Sequence, residues 1–207
     1  MKVLIIGAAG KTGSIVVERA VAAGHVVTAF VHDASTYRAP ANVRVVAGDA
    51  TDQASVDKAM AGQDGVIDTI GGKTPYRKTT LERSVAGAVI AAMKANGVKR
   101  VIVISSFGVG ESADQAGWFV EHVIVPTWLR GSTEDKAAME AVVRASGIAF
   151  VIVRPAMLTD DDATGNVNVF KGHDTAHKIT RADVAQFCVD QLTSNEHVGC
   201  AVTIANS

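Results

Sequence analysis

The chain has little of several things, and each scarcity narrows what it can be. Only two cysteines, Cys188 and Cys200, occur in 207 residues, and they do not form a C-x-x-C spacing. A disulfide framework and a thiolate zinc site are therefore not indicated, and free thiols in a reducing compartment are expected. No apolar run approaches the roughly 18 uninterrupted residues of a membrane helix. The opening Met1-Lys2-Val3-Leu4-Ile5-Ile6 stops at Gly7, too short for the apolar region of a signal peptide. A cytoplasmic protein with no membrane partner is expected. Neither charge predominates: 20 Lys+Arg stand against 21 Asp+Glu, with a net charge of -1 and a pI near 6.6. Such a chain has no basic field to draw in nucleic acid, so a small molecule is the expected partner. Aromatics make up 5%, and the only tyrosines are Tyr37 and Tyr76. Four residues beyond them lie Ala41 and Thr80, so no Tyr-x-x-x-Lys pair, in which lysine lowers the pKa of a catalytic tyrosine, is available.

The chain is rich in short β-branched runs, at Val3 to Ile6, Val26 to Val31, Val43 to Ala47, Gly65 to Ile70, Val101 to Ser105 and Phe150 to Val153. Each is apolar almost throughout, the mark of strands covered on both faces. Alanine-rich segments with helical spacing lie between them: Thr12 to Ala23, Ser55 to Ala61, Thr80 to Ala95 and Thr133 to Ala145. A last helix from Arg181 to Leu192, started by Thr180, precedes a strand near Ala201 to Ile204. The alternation predicts one α/β doubly wound domain over residues 1–207, with a mostly parallel sheet of six or seven strands and helices on both faces. Two segments break the rhythm, residues 107–131 and 159–178. Long connections after late strands lie over the carboxyl edge of such a sheet, so both are candidate covers for a substrate.

Gly7-Ala8-Ala9-Gly10-Lys11-Thr12-Gly13 follows the first strand and opens the first helix. Gly7 permits the tight turn, Gly10 lets backbone approach a pyrophosphate, and Gly13 lets the helix pack close to the strand. The helix start adds free N–H groups and partial positive charge, so Gly7, Ala9, Gly10, Lys11, Thr12 and Gly13 are expected to bind a dinucleotide. This is the signature of a Rossmann-type domain binding NADPH or NADH. The choice between the two turns on the end of the second strand, Phe30-Val31-His32-Asp33. His32, as imidazolium, is expected to meet a 2′-phosphate, with Lys11, Arg38 and Arg44 close enough in sequence to assist. Asp33 has the spacing of a ribose-binding acid, but it lies beyond the strand, where it can equally cap a turn. NADPH is the expected cofactor, NADH the alternative. After the third strand, Asp49 and Ala50 stand where a carboxylate can accept from an adenine amino group; Asp49 can also simply start the next turn. Thr69, Ile70 and Gly71, before Gly72, end the fourth strand with room for close approach to ribose and pyrophosphate.

These motifs, together with Ala61-Gly62-Gln63-Asp64, Ala91 to Val98, Ile104-Ser105-Ser106, Ser146-Gly147, Arg154-Pro155 and Ile179 to Ala185, give the chain along nearly its whole length a resemblance. It resembles the atypical short-chain dehydrogenase/reductases of the biliverdin reductase B (flavin reductase) and NmrA-like group. The resemblance implies NAD(P)H-dependent reduction of a planar acceptor, a flavin foremost, with quinones or tetrapyrroles as further classes. An arginine of NADP-using relatives is replaced here by His32, and the acid of NAD-using relatives falls at Val31. The serine associated with substrate in the biliverdin reductase B group matches Ser106, the candidate catalytic residue. Its partner histidine does not match, because Met157 follows Arg154-Pro155-Ala156; bilin reduction is thereby disfavoured.

The nicotinamide is expected near Ser105, Ser106 and Pro155, at the ends of the fifth and sixth strands. Ser106 either hydrogen-bonds the acceptor or closes the strand end. In the helix that carries the Tyr-x-x-x-Lys pair in most short-chain dehydrogenases, Ser132 stands at the tyrosine position and Lys136 keeps the lysine spacing. Lys136 is expected either to touch a cofactor ribose or to be a solvated helix lysine. Hydride transfer to a flavin or quinone needs no strong protein acid, since the acceptor delocalises charge and solvent supplies the proton. Trp118, Phe119 and Trp128 can wall a planar ring or pack a lid on the core. His173 and His177, and the run Asp160-Asp161-Asp162, are read as loop residues rather than metal ligands. The leading reading is a reductase of planar small-molecule acceptors, with the flavin as substrate rather than a tightly bound group, in a monomer or small homo-oligomer. The alternative is an NmrA-like redox sensor that binds dinucleotide without turnover and acts through a protein partner. A nucleotide-sugar epimerase or dehydratase is disfavoured by the missing tyrosine and by the short C-terminal part.

Overall fold

The computed structural model describes residues 1–71, 79–115, 130–170 and 177–206. The chain alternates β1 (Lys2–Ile6), α1 (Lys11–Ala22), β2 (Val26–Val31), β3 (Arg44–Ala47), α2 (Gln53–Met60), β4 (Gly65–Asp68), α3 (Leu81–Asn96) and β5 (Arg100–Ile104). It continues through α4 (Arg130–Arg144), β6 (Ala149–Pro155), β7 (Met157–Thr159), β8 (Val167–Phe170), β9 (Lys178–Thr180), α5 (Arg181–Asp190) and β10 (Cys200–Asn206). The main sheet has eight strands in the order β3-β2-β1-β4-β5-β6-β10-β8, and β7 pairs with β9 in a separate two-stranded sheet. All main-sheet pairings are parallel except that of β8 with β10. The order reverses between β1 and β4, which opens a crevice at the carboxyl edge, the place where doubly wound folds bind their ligands.

Alternation along each strand builds the two cores. In β1, Val3 and Ile5 face one layer with Val16, Val17 and Ala20 of α1 and Val184, Ala185 and Cys188 of α5. Leu4 and Ile6 face the other, with Val56 and Met60 of α2, Val85 and Val89 of α3, and Met139 and Val143 of α4. Successive side chains of a strand point to opposite faces, so a continuous apolar run is required when helices cover both. Burying each large apolar side chain contributes about 1.5–3 kcal/mol. β3 is the exception, half-exposed because it lies at the sheet edge.

Helix starts follow local chemistry. Asp52 caps α2 by accepting from the Ser55 N–H at 2.9 Å, and Thr180 caps α5 by accepting from the Asp183 N–H at 3.0 Å. Residues 159–178, expected as a cover, contain the eighth strand. Val167–Phe170 pairs antiparallel with Thr203–Asn206, and Thr164 and Gly165 donate to Asp183 at the start of α5. The Asp, Gly and Asn residues around this short alternating run hid its strand signal. Among the described residues no helix is long and apolar enough to cross a membrane. Gly72, Tyr76, Trp118, Phe119, Trp128 and His173 lie outside the described residues, as does most of the 107–131 segment.

Candidate functional site

The glycine turn is shaped by what surrounds each glycine. Gly7 has φ +78°, and its N–H neighbour in the turn, Gly10, donates to the Gly7 carbonyl at 2.9 Å. A Cβ on Gly13 would stand 2.2 Å from the Gly7 carbonyl oxygen, so only glycine lets α1 press against the end of β1. Among the described residues, a Cβ on Gly10 would meet only the Gly7 oxygen, at 3.2 Å, and one on Gly71 would meet nothing within 4 Å. Both leave backbone open to a ligand. Gly10 is also the N-cap of α1 and supplies no side chain to its first turn. That turn therefore presents uncapped N–H groups and the positive end of the helix dipole, which fits a dinucleotide pyrophosphate.

Beside the turn lies a cavity of about 480 Å³ lined by Gly7, Phe30, His32, Gly48, Asp49, Ala50, Ile70, Gly71, Thr79 and Leu81. The fold thus gathers Gly7, His32, Asp49, Ala50, Ile70 and Gly71 from four separate strand ends into one pocket. Phe30, Gly48, Thr79 and Leu81 were not legible as part of it. Phe30 reads as a core residue, and no local signal says that the start of α3 turns towards β2. The apolar floor and polar rim suit a purine with its ribose.

The polar residues divide by the partners they already have. Asp49 starts the next turn, its Oδ1 accepting from the Thr51 N–H at 2.8 Å and hydroxyl at 2.7 Å, and the residue also lines the cavity. These two bonds from Thr51, with His32 nearby, hold its carboxyl below the usual range. Asp33 caps the turn at Ala34–Thr36, accepting from the Ser35 N–H at 2.8 Å. Thr69 donates through Oγ1 to the Ile6 carbonyl at 2.8 Å, closing β4 onto β1. Ala9, Gly10 and Lys11 are exposed on the turn and Thr12 is half-buried. Arg44 corrects an expectation. It pairs with Thr28 at the amino end of β3, whereas His32 follows Val31, the partner of Ala47. Three residues of strand, about 10 Å, separate Arg44 from the carboxyl edge. Lys11 is engaged as well: its Nζ donates to Asp160 at 2.9 Å, and Arg181 bonds the same carboxylate.

At the ends of β5 and β6 a charged network takes up most polar groups. Ser105 donates through Oγ to Glu140 at 2.7 Å, and Arg154 binds Glu140 through Nε at 2.9 Å and Nη2 at 2.5 Å. Arg154 also reaches Glu111 at 3.0 Å, which Arg144 holds from the other side at 2.8 Å. Burial opposes ionisation at Glu111, but its backbone N–H bond and the two arginines outweigh this and hold the carboxyl at about 2. Ser106, half-buried beside this network, has no hydrogen-bond partner for its hydroxyl among the described residues. Pro155 is buried, and its carbonyl accepts from the Phe107 N–H at 3.0 Å.

Of the two alternatives for Lys136, the structure removes one. It is not a solvated lysine, for its ammonium donates to Glu82 of α3 at 3.0 Å with side-chain exposure of 11%. It does not line the adenosine-sized cavity. Sequence spacing located the lysine, but the carboxylate that claims it lies 54 residues earlier. Among the described residues no group of three or more His, Cys, Asp and Glu is placed to hold a metal ion.

With this geometry in view, comparison with known proteins is informative. A profile of the NAD(P)H-binding family matches residues 7–195, from the glycine turn through the last helix. An uncharacterised chloroplastic protein of Arabidopsis thaliana is 29% identical over 210 residues, covering 94% of this chain and 73% of that protein. An uncharacterised sugar epimerase of Bacillus subtilis, YhfK, is 30% identical over 137 residues, 65% of this chain and 59% of the epimerase. The anaerobilin reductase ChuY of Escherichia coli O157:H7 superposes with a TM-score of 0.84 at 24% identity, covering 100% of this chain and 97% of ChuY. Since the matched span contains the open glycine turn, the uncapped helix and the cavity beside them, the chain belongs to the NAD(P)H-binding family and carries its Rossmann fold.

Proposed function

We propose that this protein is an NADPH-dependent reductase that delivers hydride to a planar acceptor, a flavin or a quinone, bound as substrate. The observation that carries the reading is the state of the groups at the strand ends. Ser105 is hydrogen-bonded to Glu140, and Lys136, which keeps the lysine spacing of the missing Tyr-x-x-x-Lys pair, is ion-paired with Glu82, so both are already engaged within the fold. Ser106 remains as a half-buried hydroxyl able to donate or accept. A reduced nicotinamide bound here would supply the hydride. The protein's part is then to hold and orient, which suffices for acceptors that spread the incoming charge over a ring system and take their proton from solvent. Bonds from Gly10 and the first turn of α1 would fix the pyrophosphate, Asp49 the adenine, and Ser106 and Pro155 the reacting end. His32, on the cavity wall, supports NADPH over NADH through its ability to meet a 2′-phosphate as a cation. ChuY is an anaerobilin reductase by its name, but Met157 stands here at the histidine position of the biliverdin reductase B group, which favours another planar acceptor over a bilin.

The test is absorbance at the reduced-nicotinamide band with NADPH or NADH, adding FMN, riboflavin and a small quinone in turn. Acceptor-dependent oxidation, faster with NADPH, is expected. Cofactor binding by calorimetry without any such oxidation would replace this reading by that of a sensor working through a protein partner.

A further inference from the structure

Two helices of one core layer start side by side at the carboxyl edge. α1 and α5 pack in that layer through Val16, Val17 and Ala20 of the one and Val184, Ala185 and Cys188 of the other. Their first residues are both cations, Lys11 and Arg181. Asp160 joins them: one carboxylate oxygen accepts from Lys11 Nζ at 2.9 Å, the other from Arg181 Nη1. The small sheet fixes this meeting. β7 and β9 pair in parallel with Thr159 opposite Thr180, so Asp160 and Arg181 leave their strands at the same level. Arg181 has a side-chain exposure of 19%, whereas Asp160 is 62% exposed. The guanidinium is thus held by the fold, while solutes can reach the carboxylate it binds. Among the described residues, Asp161 and Asp162 bond neither cation. The bond from Lys11 foremost, and then the charge of Arg181, hold the Asp160 carboxyl below the usual range, so it is ionised throughout the neutral region.

We propose that Lys11 and Arg181 form a subsite for a phosphate group, which Asp160 fills with its own carboxylate and which a phosphorylated ligand takes over. The proposal rests on the planar-acceptor reading and assigns the subsite to the acceptor's phosphate; a phosphate of the dinucleotide is the other source of the same chemistry. Charge gives the first reason. Two cations facing one carboxylate leave a positive charge unmatched, and a phosphate monoester, with about −1.5 to −2 charges near neutral pH and three acceptor oxygens, answers both. A guanidinium suits phosphate through its forked N–H groups and an ammonium as a point charge. The first turn of α1, which Gly10 leaves without a side-chain cap, adds N–H groups beside Lys11. Position gives the second reason. Neither Lys11 nor Arg181 lines the adenosine-sized cavity. β7 leads from the end of β6, where the nicotinamide is expected, to Asp160 over about 10 Å. The ribityl chain of FMN bridges such a span, so a flavin ring at the strand ends brings its phosphate to these cations.

The test uses the intact protein saturated with NADP+, which prevents turnover, and reads FMN and riboflavin binding from the quenching of flavin fluorescence. FMN should bind more tightly than riboflavin, by a ratio that shrinks as salt is raised. Asp160→Asn removes the competing carboxylate and should raise that ratio by roughly two- to fivefold, the size of an exposed ion pair. Lys11→Met should lower it. Calorimetry of NADPH binding separates the sources: a ratio unchanged in Asp160→Asn, with tighter NADPH binding, keeps the subsite and gives it to the dinucleotide. If neither the ratio nor the NADPH affinity rises in Asp160→Asn, the subsite is overturned and Asp160 is only a structural tie. If neither flavin binds to any variant, the flavin reading of the function falls, and the NADPH titration alone decides the subsite.

Discussion

Gly10 and Gly13 stand three apart in one turn and face opposite environments. The first opens outward, with only the Gly7 oxygen near its absent Cβ; the second is pressed at 2.2 Å against that same oxygen. Their substitutions should therefore fail in different ways. Gly13→Ala forces helix and strand apart, and a loss of about 1–3 kcal/mol in urea unfolding is expected, as for other overpacked sites. Gly10→Glu adds a carboxylate where the pyrophosphate should lie and should leave the unfolding midpoint near wild type while abolishing dinucleotide binding by calorimetry. Retained affinity in that variant would remove the phosphate site from this turn.

Between elements, the tie that matters most for the reacting end is the buried pair of Glu140 on α4 and Arg154 on β6, with side-chain exposures of 5% and 2%. Glu140 also receives Ser105 from the end of β5, so one carboxylate joins three elements. Gly110 makes room for the guanidinium, since a Cβ there would stand 2.7 Å from Arg154 Nη2. Glu140→Ala would leave Arg154 charged and buried beside an empty space, and a loss of about 3–5 kcal/mol is expected by denaturant unfolding. A loss under about 1 kcal/mol would mean that Glu111 and water satisfy the arginine alone.

For the molecule as a whole, two sets of carboxyls act on stability in opposite pH ranges. Burial works against ionisation at Asp183, but the Thr164 and Gly165 N–H groups, the Thr164 hydroxyl and the Asn206 amide outweigh it and hold the group at about 2. Glu111 is held equally low. Their stabilisation is complete above the ordinary carboxylate range and is lost as pH falls from about 4 towards 2. Burial raises Asp68 and Asp135, so the folded chain keeps protons that the unfolded chain has released, and stability declines as pH climbs from about 4 through 7. Thermal unfolding from pH 2.5 to 8 should show a maximum between about pH 4 and 6. Asp68→Asn should flatten the neutral side; an unchanged slope there would mean that Asp68 ionises as it does in the unfolded chain.

The sequence by itself determined the doubly wound fold, because strands buried on both faces must be apolar throughout and the helices between them must carry an apolar stripe. It also marked the glycine turn, whose three glycines answer to steric demands within a few residues of chain. Thr180 was legible as a helix start for the same local reason. What only the tertiary structure decided is which polar groups meet across long stretches of chain. Lys136 is claimed by Glu82, Asp135 caps a helix 53 residues earlier, and Lys11 finds Asp160. The β8 strand, too, exists because β10 offers it an edge. Periodicity encodes burial, which a residue carries with it; partnership between charges depends on where the chain returns, and no local pattern records that.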